Sequence, residues 1–136
     1  MLVIDASVAV KWFVEQDNFE AARALATPPR EVVAPELVLA EIASALWKYV
    51  RTNQLKPETA QAMLAQAHKP FTRLVPLEPL LPAAFELAVA IQHPIYDCFY
   101  LALAQREGAP LITADKRLAA AARGLPGIEV RLLGGL

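Results

Sequence analysis

The chain of 136 residues is poor in the residue types that build disulfides and soft-metal sites. It has one cysteine, Cys98, and its two histidines, His68 and His93, lie far apart in the sequence. These counts exclude an internal disulfide, a thiolate zinc site and a metal site held by paired histidines. Any metal ion bound here must be held by oxygen ligands.

Glycine is also scarce, with five residues in the chain. The sequence contains neither G-x-G-x-x-G nor G-x-x-x-x-G-K-[ST], so the glycine-rich loops that bind dinucleotides or nucleotide phosphates are missing. It also lacks G-x-S-x-G, the turn that presents a catalytic serine. No second acid stands two residues after Asp5, which disfavours phospho-aspartate chemistry.

Long apolar runs are missing as well, although 56% of the residues are hydrophobic. No run approaches the ~18 apolar residues that a membrane span requires, and no signal-like leader precedes the first strand-like residues. We therefore expect a cytoplasmic protein without a membrane partner. The surplus of apolar residues over the usual ~45–50% predicts an interface with another chain. The net charge of −1 gives no overall attraction to nucleic acid, so such a ligand would need a local patch and a metal ion.

Short aliphatic runs alternate with longer helical patterns and predict one domain over residues 1–136. Strands are predicted at 2–5, 31–34, 73–77, 110–113 and 128–133. Helices are predicted at 7–15, 18–26, 36–51, 57–68, 82–92, 94–107 and 115–123, with Ser7 as the first N-cap and Pro35 opening the third helix. The alternation predicts an α/β fold, in which helices cover both faces of a mainly parallel sheet and ligands bind at the carboxyl ends of the strands.

Four acids lie where this pattern places a strand end or an apolar helix. They are Asp5, Glu41, Asp97 and Asp115. Each also has an ordinary structural role open to it: a strand-end turn for Asp5, a solvated helix edge for Glu41, a favourable helix dipole for Asp97 and an N-cap for Asp115.

Considered jointly, the four acids predict one shared cleft. Two like charges ~4 Å apart repel by about 4 kcal/mol at an effective dielectric constant near 20, so clustered carboxylates need a compensating cation. Carboxylate and hydroxyl oxygens favour Mg²⁺ or Mn²⁺, and Mg²⁺ commonly binds substrate phosphates as well. The expected chemistry is metal-assisted hydrolysis of a phosphate ester.

At these residues the chain resembles the PIN-domain ribonucleases, and most closely the VapC-type toxins of bacterial and archaeal toxin–antitoxin modules. The resemblance covers essentially the whole chain and rests on VIDASVAVKWF, PELVLAEIASALWK, IYDCFYLALAQREGAPLITAD and KRLAAAA, in that order. It implies a three-layer α/β/α sandwich and a Mg²⁺- or Mn²⁺-dependent endoribonuclease.

The same resemblance assigns roles to individual residues. Asp5, Glu41, Asp97 and Asp115 match the family's acidic metal-binding positions, and Thr113 matches a hydroxyl that lines the same pocket. We expect Asp5 and Asp97 to hold the main ion. Glu41 and Asp115 are expected to complete its shell, to orient the attacking water or to hold a second ion.

Basic and aromatic side chains near the acids are candidates for RNA contact, with an ordinary solvated or packed role as the alternative. The candidates are Lys11, Lys48, Lys116 and Arg117, together with Trp12, Phe13 and Trp47. The aromatic residues have the helical spacing of a core or an interface. Some relatives carry a further acid where this chain has Lys116 and Arg117, which argues against a second tightly held ion.

The resemblance also implies two protein partners, a VapB-like antitoxin that covers the acidic cleft and a second copy of this chain. We expect the dimer interface on the helices at 36–51 and 57–68. Two other functions stay open on the sequence alone. One is a catalytically weak PIN-like module that receives a basic partner segment, and the other is a metal-dependent phosphoesterase with substrates other than RNA.

Overall fold

A computed structural model describes residues 1–136, and its five strands form one sheet. The strands are β1 Leu2–Ile4, β2 Val32–Pro35, β3 Arg73–Val75, β4 Leu111–Thr113 and β5 Val130–Leu132. Their order across the sheet is β3-β2-β1-β4-β5, and every neighbouring pair is parallel. The predicted parallel sheet is confirmed.

Helices connect the strands, as parallel neighbours require. They are α1 Ala6–Ala9, α2 Phe19–Leu25, α3 Leu37–Arg51, α4 Pro57–Gln66, α5 Leu81–Ile91, α6 Ile95–Glu107 and α7 Lys116–Ala121. Helix α6 packs on β1, β2 and β4, and α5 packs on α6. Seven consecutive residues of α6, Cys98–Ala104, are buried, which explains why the sequence of this helix is apolar on nearly all sides.

Both faces of the sheet are covered. Every residue of β2 and of β4 is buried, although successive side chains of a strand point to opposite faces. Continuous aliphatic runs such as VVAP and LIT are typical of strands in this position. The predicted α/β class, a parallel sheet flanked by helices, is confirmed.

The strand order creates a crevice between β1 and β4. The chain runs outward from β1 through β2 to β3, then returns past β1 to form β4 and β5 on the other side. In open α/β sheets the connections diverge at such a reversal, and ligands bind there outside the carboxyl ends of the strands. Asp5 follows β1 directly and Thr113 is the last residue of β4, so both lie at this crevice.

Three local predictions were wrong. The first helix covers only Ala6–Ala9 and continues as a 3-10 turn over Val10–Trp12, because the indole of Trp12 turns into the core and donates to the carbonyl of Ala22 (2.9 Å). Asp5, and not Ser7, is the N-cap of that helix. Pro35 ends β2 opposite Val75, and α3 begins at Leu37.

No single helix is both long and apolar enough to cross a membrane. The segments Glu78–Ile91 and Ile95–Glu107 pass that test of length and composition only when they are joined, and they are bent by 115°.

Candidate active site

Asp5 is a buried carboxylate whose two oxygens are both hydrogen-bonded. It is 5% exposed. The hydroxyl of Ser7 (2.6 Å) and the backbone N–H of Val8 (3.2 Å) donate to Oδ1, and the hydroxyl of Thr113 (2.5 Å) donates to Oδ2. The predicted pocket hydroxyl of Thr113 therefore contacts the first acid directly.

The two hydroxyl groups also join the ends of β1 and β4. Ser7 Oγ accepts from the backbone N–H of Ala114 (2.9 Å), and Thr113 Oγ1 accepts from that of Asp115 (3.0 Å). Each hydroxyl thus receives one hydrogen bond and donates its own proton to Asp5. The sequence suggested Ser7 mainly as a helix cap, whereas in the structure it orients the site carboxylate and the segment after β4.

Burial raises the pKa of Asp5 from an ordinary 3.8 to about 6. This value is the net result: the negative charge of Asp97 acts in the same direction as burial, while hydrogen bonds from Ser7, Thr113 and Val8 lower the pKa. A carboxylate with this pKa ionises near neutral pH but is held at a free-energy cost, which a bound cation would offset.

Glu41 lies on α3 and is fixed from α6. The phenol of Tyr100, 1% exposed, donates to Glu41 Oε1 at 2.5 Å. Burial raises the pKa of Glu41, and the charge of Asp97 adds to this rise, while the Tyr100 hydrogen bond lowers it. The predicted inward orientation of Glu41 agrees with this contact.

Asp97 is near the start of α6 and is held by His93, one turn earlier, whose Nε2 lies 2.7 Å from Asp97 Oδ2. The negative charge of Asp97 raises the pKa values of Asp5, Glu41 and Tyr100. The pKa of the Tyr100 phenol rises, first through burial and then through the charges of Glu41, Asp5 and Asp97. Tyr100 therefore stays protonated among three acids and can only donate to Glu41.

Asp115 differs from the other three acids. Its Oδ1 accepts from the backbone N–H groups of Arg117 (2.8 Å) and Leu118 (3.3 Å), which makes it the N-cap of α7. This is the structural alternative that its position suggested. Its backbone N–H, and not its carboxylate, is linked to Asp5, through the hydroxyl of Thr113.

The donor set fits a hard cation, although it is not a preformed cage. Carboxylate and hydroxyl oxygens line the crevice, and the negative charge of Asp97 raises the pKa of both Asp5 and Glu41. No Lys or Arg side chain forms an ion pair with any of the four acids. No three His, Cys, Asp or Glu side chains stand close enough together to hold an ion by themselves. This spacing suits Mg²⁺, which is usually bound by one or two carboxylates and keeps waters and substrate oxygens in its shell.

The basic RNA-contact candidates fall into two groups. Lys48, Lys116 and Arg117 are exposed. Lys11 is 9% exposed, and its ammonium donates to the carbonyl of Asp17 (2.9 Å) and to Gln16 Oε1 (3.4 Å). Its charge is thus already bound within the loop after α1.

The aromatic candidates also separate. Trp12 is 8% exposed and packs on Phe71 at 5.1 Å between ring centroids, and Phe13 is partly buried against the core. Trp47 is 57% exposed, with the guanidinium of Arg51 over its ring. The predicted packed role therefore holds for Trp12 and Phe13, while Trp47 lies on the surface.

Sequence reasoning missed Tyr100 and His93. Both had a signal, because Tyr100 lies three residues after Asp97 and His93 four residues before it, which are the spacings of neighbours on a helix face. The contact of Tyr100 with Glu41 had no signal in the sequence, because Glu41 lies on another helix.

Comparison with known proteins agrees with this fold. The model of the PIN-domain family matches residues 2–124. Ribonuclease VapC3 of Pyrobaculum aerophilum is 32% identical over 120 residues, which are 87% of this chain and 92% of that protein.

Two solved structures share the fold. The crystal structure of PAE2754 from Pyrobaculum aerophilum has a TM-score of 0.74 at 22% identity, over 98% of this chain and 83% of that one. A toxin–antitoxin complex from Klebsiella pneumoniae has a TM-score of 0.60 at 16% identity, over 94% of this chain and 95% of the matched chain. The family resemblance read from the sequence is confirmed: this chain belongs to the PIN-domain family, with a VapC ribonuclease among its relatives.

Proposed function

We propose that this chain is a Mg²⁺- or Mn²⁺-dependent endoribonuclease that hydrolyses RNA phosphodiester bonds as the toxin of a toxin–antitoxin pair. The observation that carries the proposal is the buried Asp5 carboxylate at the β1–β4 crevice, with Asp97 and Glu41 close enough for their charges to interact. The similarity to ribonuclease VapC3 supports RNA as the substrate.

The proposed division of roles follows from the contacts of each acid. Asp5 and Asp97 hold the main ion, and their oxygens are oriented by Ser7 and Thr113 on one side and by His93 on the other. When bound, the ion offsets charge on the phosphate oxygens and lowers the pKa of water. Lys48, Lys116 and Arg117 remain RNA-contact candidates, while Lys11 is the least suited to that role.

Glu41 is the proposed general base. Tyr100 occupies Glu41 Oε1, so Oε2 is left to accept a proton from the attacking water. The raised pKa of Glu41 improves its match to neutral pH, as general-base catalysis requires. Asp115 contributes its second oxygen to the same crevice, either to the metal shell or to the water.

The proposal includes two protein partners in the cytoplasm. One is a VapB-like antitoxin that covers the acids, supported by the likeness to the Klebsiella pneumoniae toxin–antitoxin complex. The other is a second copy of this chain. The predicted interface helices expose Trp47 and Leu64, whereas α5 exposes a continuous stripe of Leu81, Phe85 and Val89, so α5 is the better candidate.

Cleavage of total RNA by the antitoxin-free protein tests the function. The reactions contain Mg²⁺, Mn²⁺ or a chelator, and the variants are Asp97→Asn and, as a matched control, Glu36→Gln, which removes an exposed acid before the same helix that carries Glu41. We expect discrete fragments with metal from the parent and from Glu36→Gln, and none from Asp97→Asn.

A Mn²⁺ titration separates the competing functions. We expect folded Asp5→Asn and Asp97→Asn to bind Mn²⁺ at least about tenfold more weakly than the parent, because each loses a direct ligand charge. Equal Mn²⁺ affinity in the variants and the parent would show that Asp5 and Asp97 are not the metal ligands. If the protein binds metal and cleaves a model phosphodiester but not RNA, it is a different phosphoesterase. If it cleaves neither RNA nor the model phosphodiester, a binding module is favoured.

A further inference from the structure

A groove leads away from the acids along α3. It has a volume of about 630 Å³, within the usual range for ligand sites. One end is at Ser7 and Glu41, and its walls are formed by α3, by the start of α1 and by the loop that follows. Its lining residues are Ala6, Ser7, Val10, Gln16, Glu41, Ser44, Ala45, Lys48, Tyr49, Thr52 and Gln54.

The α3 wall of the groove is a single helix face. Ser44 and Ala45, Lys48 and Tyr49, and Thr52 follow Glu41 at the three- and four-residue spacing of neighbours on a helix surface. Lys48 is seven residues after Glu41, which is roughly 10 Å along the axis at 1.5 Å per residue. The groove therefore carries a cation beyond the acids, at a distance from the proposed cleavage point.

The charge of the groove changes along its length. Glu41 is the one acid that lines it, and Lys48, which forms no ion pair, is the one cation. A lysine ammonium in this situation binds a phosphate as a point charge. Because the net charge of the chain gives no general attraction to RNA, this unpaired cation is where the outer groove can attract a backbone phosphate.

The remaining lining groups suit a nucleobase. The half-buried ring of Tyr49 offers a stacking surface beside Lys48. Gln54 donates to the hydroxyl of Thr52 (2.7 Å), which leaves its amide oxygen as an acceptor, while the amide nitrogen of Gln16 is left as a donor across the groove. Donors and acceptors of this kind recognise the edges of unpaired bases.

We propose that this groove binds the single-stranded RNA nucleotide next to the scissile phosphate, with Lys48 on its phosphate, Tyr49 stacked on its base and Gln16 and Gln54 at its base edge. The proposal rests on the ribonuclease function proposed above. A basic antitoxin segment fits the outer groove less well, because Lys48 repels it and no acid beyond Glu41 attracts it.

Equilibrium binding tests the groove. Groove variants are built on Asp97→Asn, so that a fluorescein-labelled eight-nucleotide single-stranded RNA survives titration in Mg²⁺, and affinity is measured by fluorescence anisotropy. The variants are Lys48→Gln and Tyr49→Leu. Lys69→Gln, an exposed lysine outside the groove, is the matched charge control, and thermal melts verify folding.

We expect Lys48→Gln to weaken RNA binding at least threefold and to reduce the salt dependence by about 0.7, the value for one phosphate contact on a single strand. Tyr49→Leu should weaken binding about fivefold or more, as loss of one stacked base does. Lys69→Gln should stay within about twofold of the background protein.

Unchanged RNA affinity in both groove variants would overturn the proposal. Cleavage by the parent distinguishes this from failure of the proposed function. If the parent cuts RNA and the groove variants bind normally, only the groove assignment fails. If the parent does not cut RNA but the groove variants lose affinity, the groove still binds single-stranded RNA, and its position next to a scissile phosphate fails together with the catalytic function.

Discussion

The Asp5 carboxylate lowers the stability of the folded protein at neutral pH. Its pKa is about 6 in the fold and about 3.8 in an ordinary environment. Below about pH 4 the group is protonated in both the folded and the unfolded state, and its burial costs no charge desolvation. Above about pH 6 it is ionised in both states, and the fold carries a cost of about 3 kcal/mol. The free energy of unfolding due to this group therefore falls between those two pH values.

Asp5→Asn should stabilise the metal-free protein at pH 7. The variant removes the buried charge and keeps a side chain of the same shape, so we expect its Tm in chelator to exceed that of the parent by several degrees. At pH 4 the gain should largely disappear. Asp17→Asn, at an exposed acid, is the control and should change neither Tm. The same gain at both pH values would show that the charge of Asp5 is not the cause.

Tyr100→Phe tests whether the phenol positions Glu41. Loss of the hydrogen bond frees Glu41 Oε1 and removes a contact that lowers the pKa of Glu41. We expect kcat to fall about tenfold with little change in KM, and the acid limb of the kcat/KM profile to move to higher pH. A purely structural role would lower activity or Tm without moving that limb.

At the level of single residues, the position of Asp5 at a strand end was predictable from the sequence, whereas most of the contacts that hold the acids were not. Asp5 and Glu41 could be assigned because a charge within an apolar pattern is conspicuous. Among the groups that hold these acids, Thr113 was expected from the family resemblance. Tyr100 was not, because it bonds Glu41 across the tertiary fold, where sequence spacing carries no information. Asp115 had two possible roles from the start, and its N-cap geometry is compatible with both.

Helix α7 allows the two roles of Asp115 to be separated. Asparagine caps helices about as well as aspartate, whereas alanine loses the cap at a cost of about 1 kcal/mol. We expect Asp115→Asn to melt like the parent and to lose most of its RNA cleavage, because only the charge is removed. Asp115→Ala should lose both activity and stability. Full activity in folded Asp115→Asn would limit this residue to capping α7.

At the level of elements, prediction succeeded where a local signal was strong and failed where tertiary packing decided. The bounds of β1, β2 and β4 were predictable to within a few residues from their apolar runs, and the end of α6 was predictable from Gly108. The first helix was predicted too long, because burial of Trp12 against α2 tightens the chain into a 3-10 turn. The order of the strands was not predicted, since period and composition do not specify which strands become neighbours.

The α5 stripe gives the whole molecule a candidate dimer interface. Leu81, Phe85 and Val89 are 49%, 63% and 65% exposed and lie four residues apart, on one face of the helix. A two-fold axis would bring the same apolar stripe of both copies together. We expect the parent to be a dimer in size-exclusion chromatography with light scattering, and Phe85→Glu to be a folded monomer.

Trp47→Glu is the matched variant for this experiment. It places the same charge at an exposed aromatic residue of α3, one of the two helices on which the sequence suggested the interface. It should leave the dimer intact. If Trp47→Glu is monomeric and Phe85→Glu is dimeric, the interface lies on α3. If the parent is monomeric, the chain does not form a dimer.

The hydrogen bond from Thr113 to Asp5 joins residues 108 positions apart in the chain. Proteins are synthesised from the amino terminus, so Asp5 leaves the ribosome long before its partner exists. A nascent chain that ends before β4 carries Asp5, Glu41 and Asp97 but lacks Asp115, the Thr113 hydroxyl and the strand next to β1. The proposed nuclease site is therefore incomplete through most of its own synthesis and is assembled only as the last strands join the sheet.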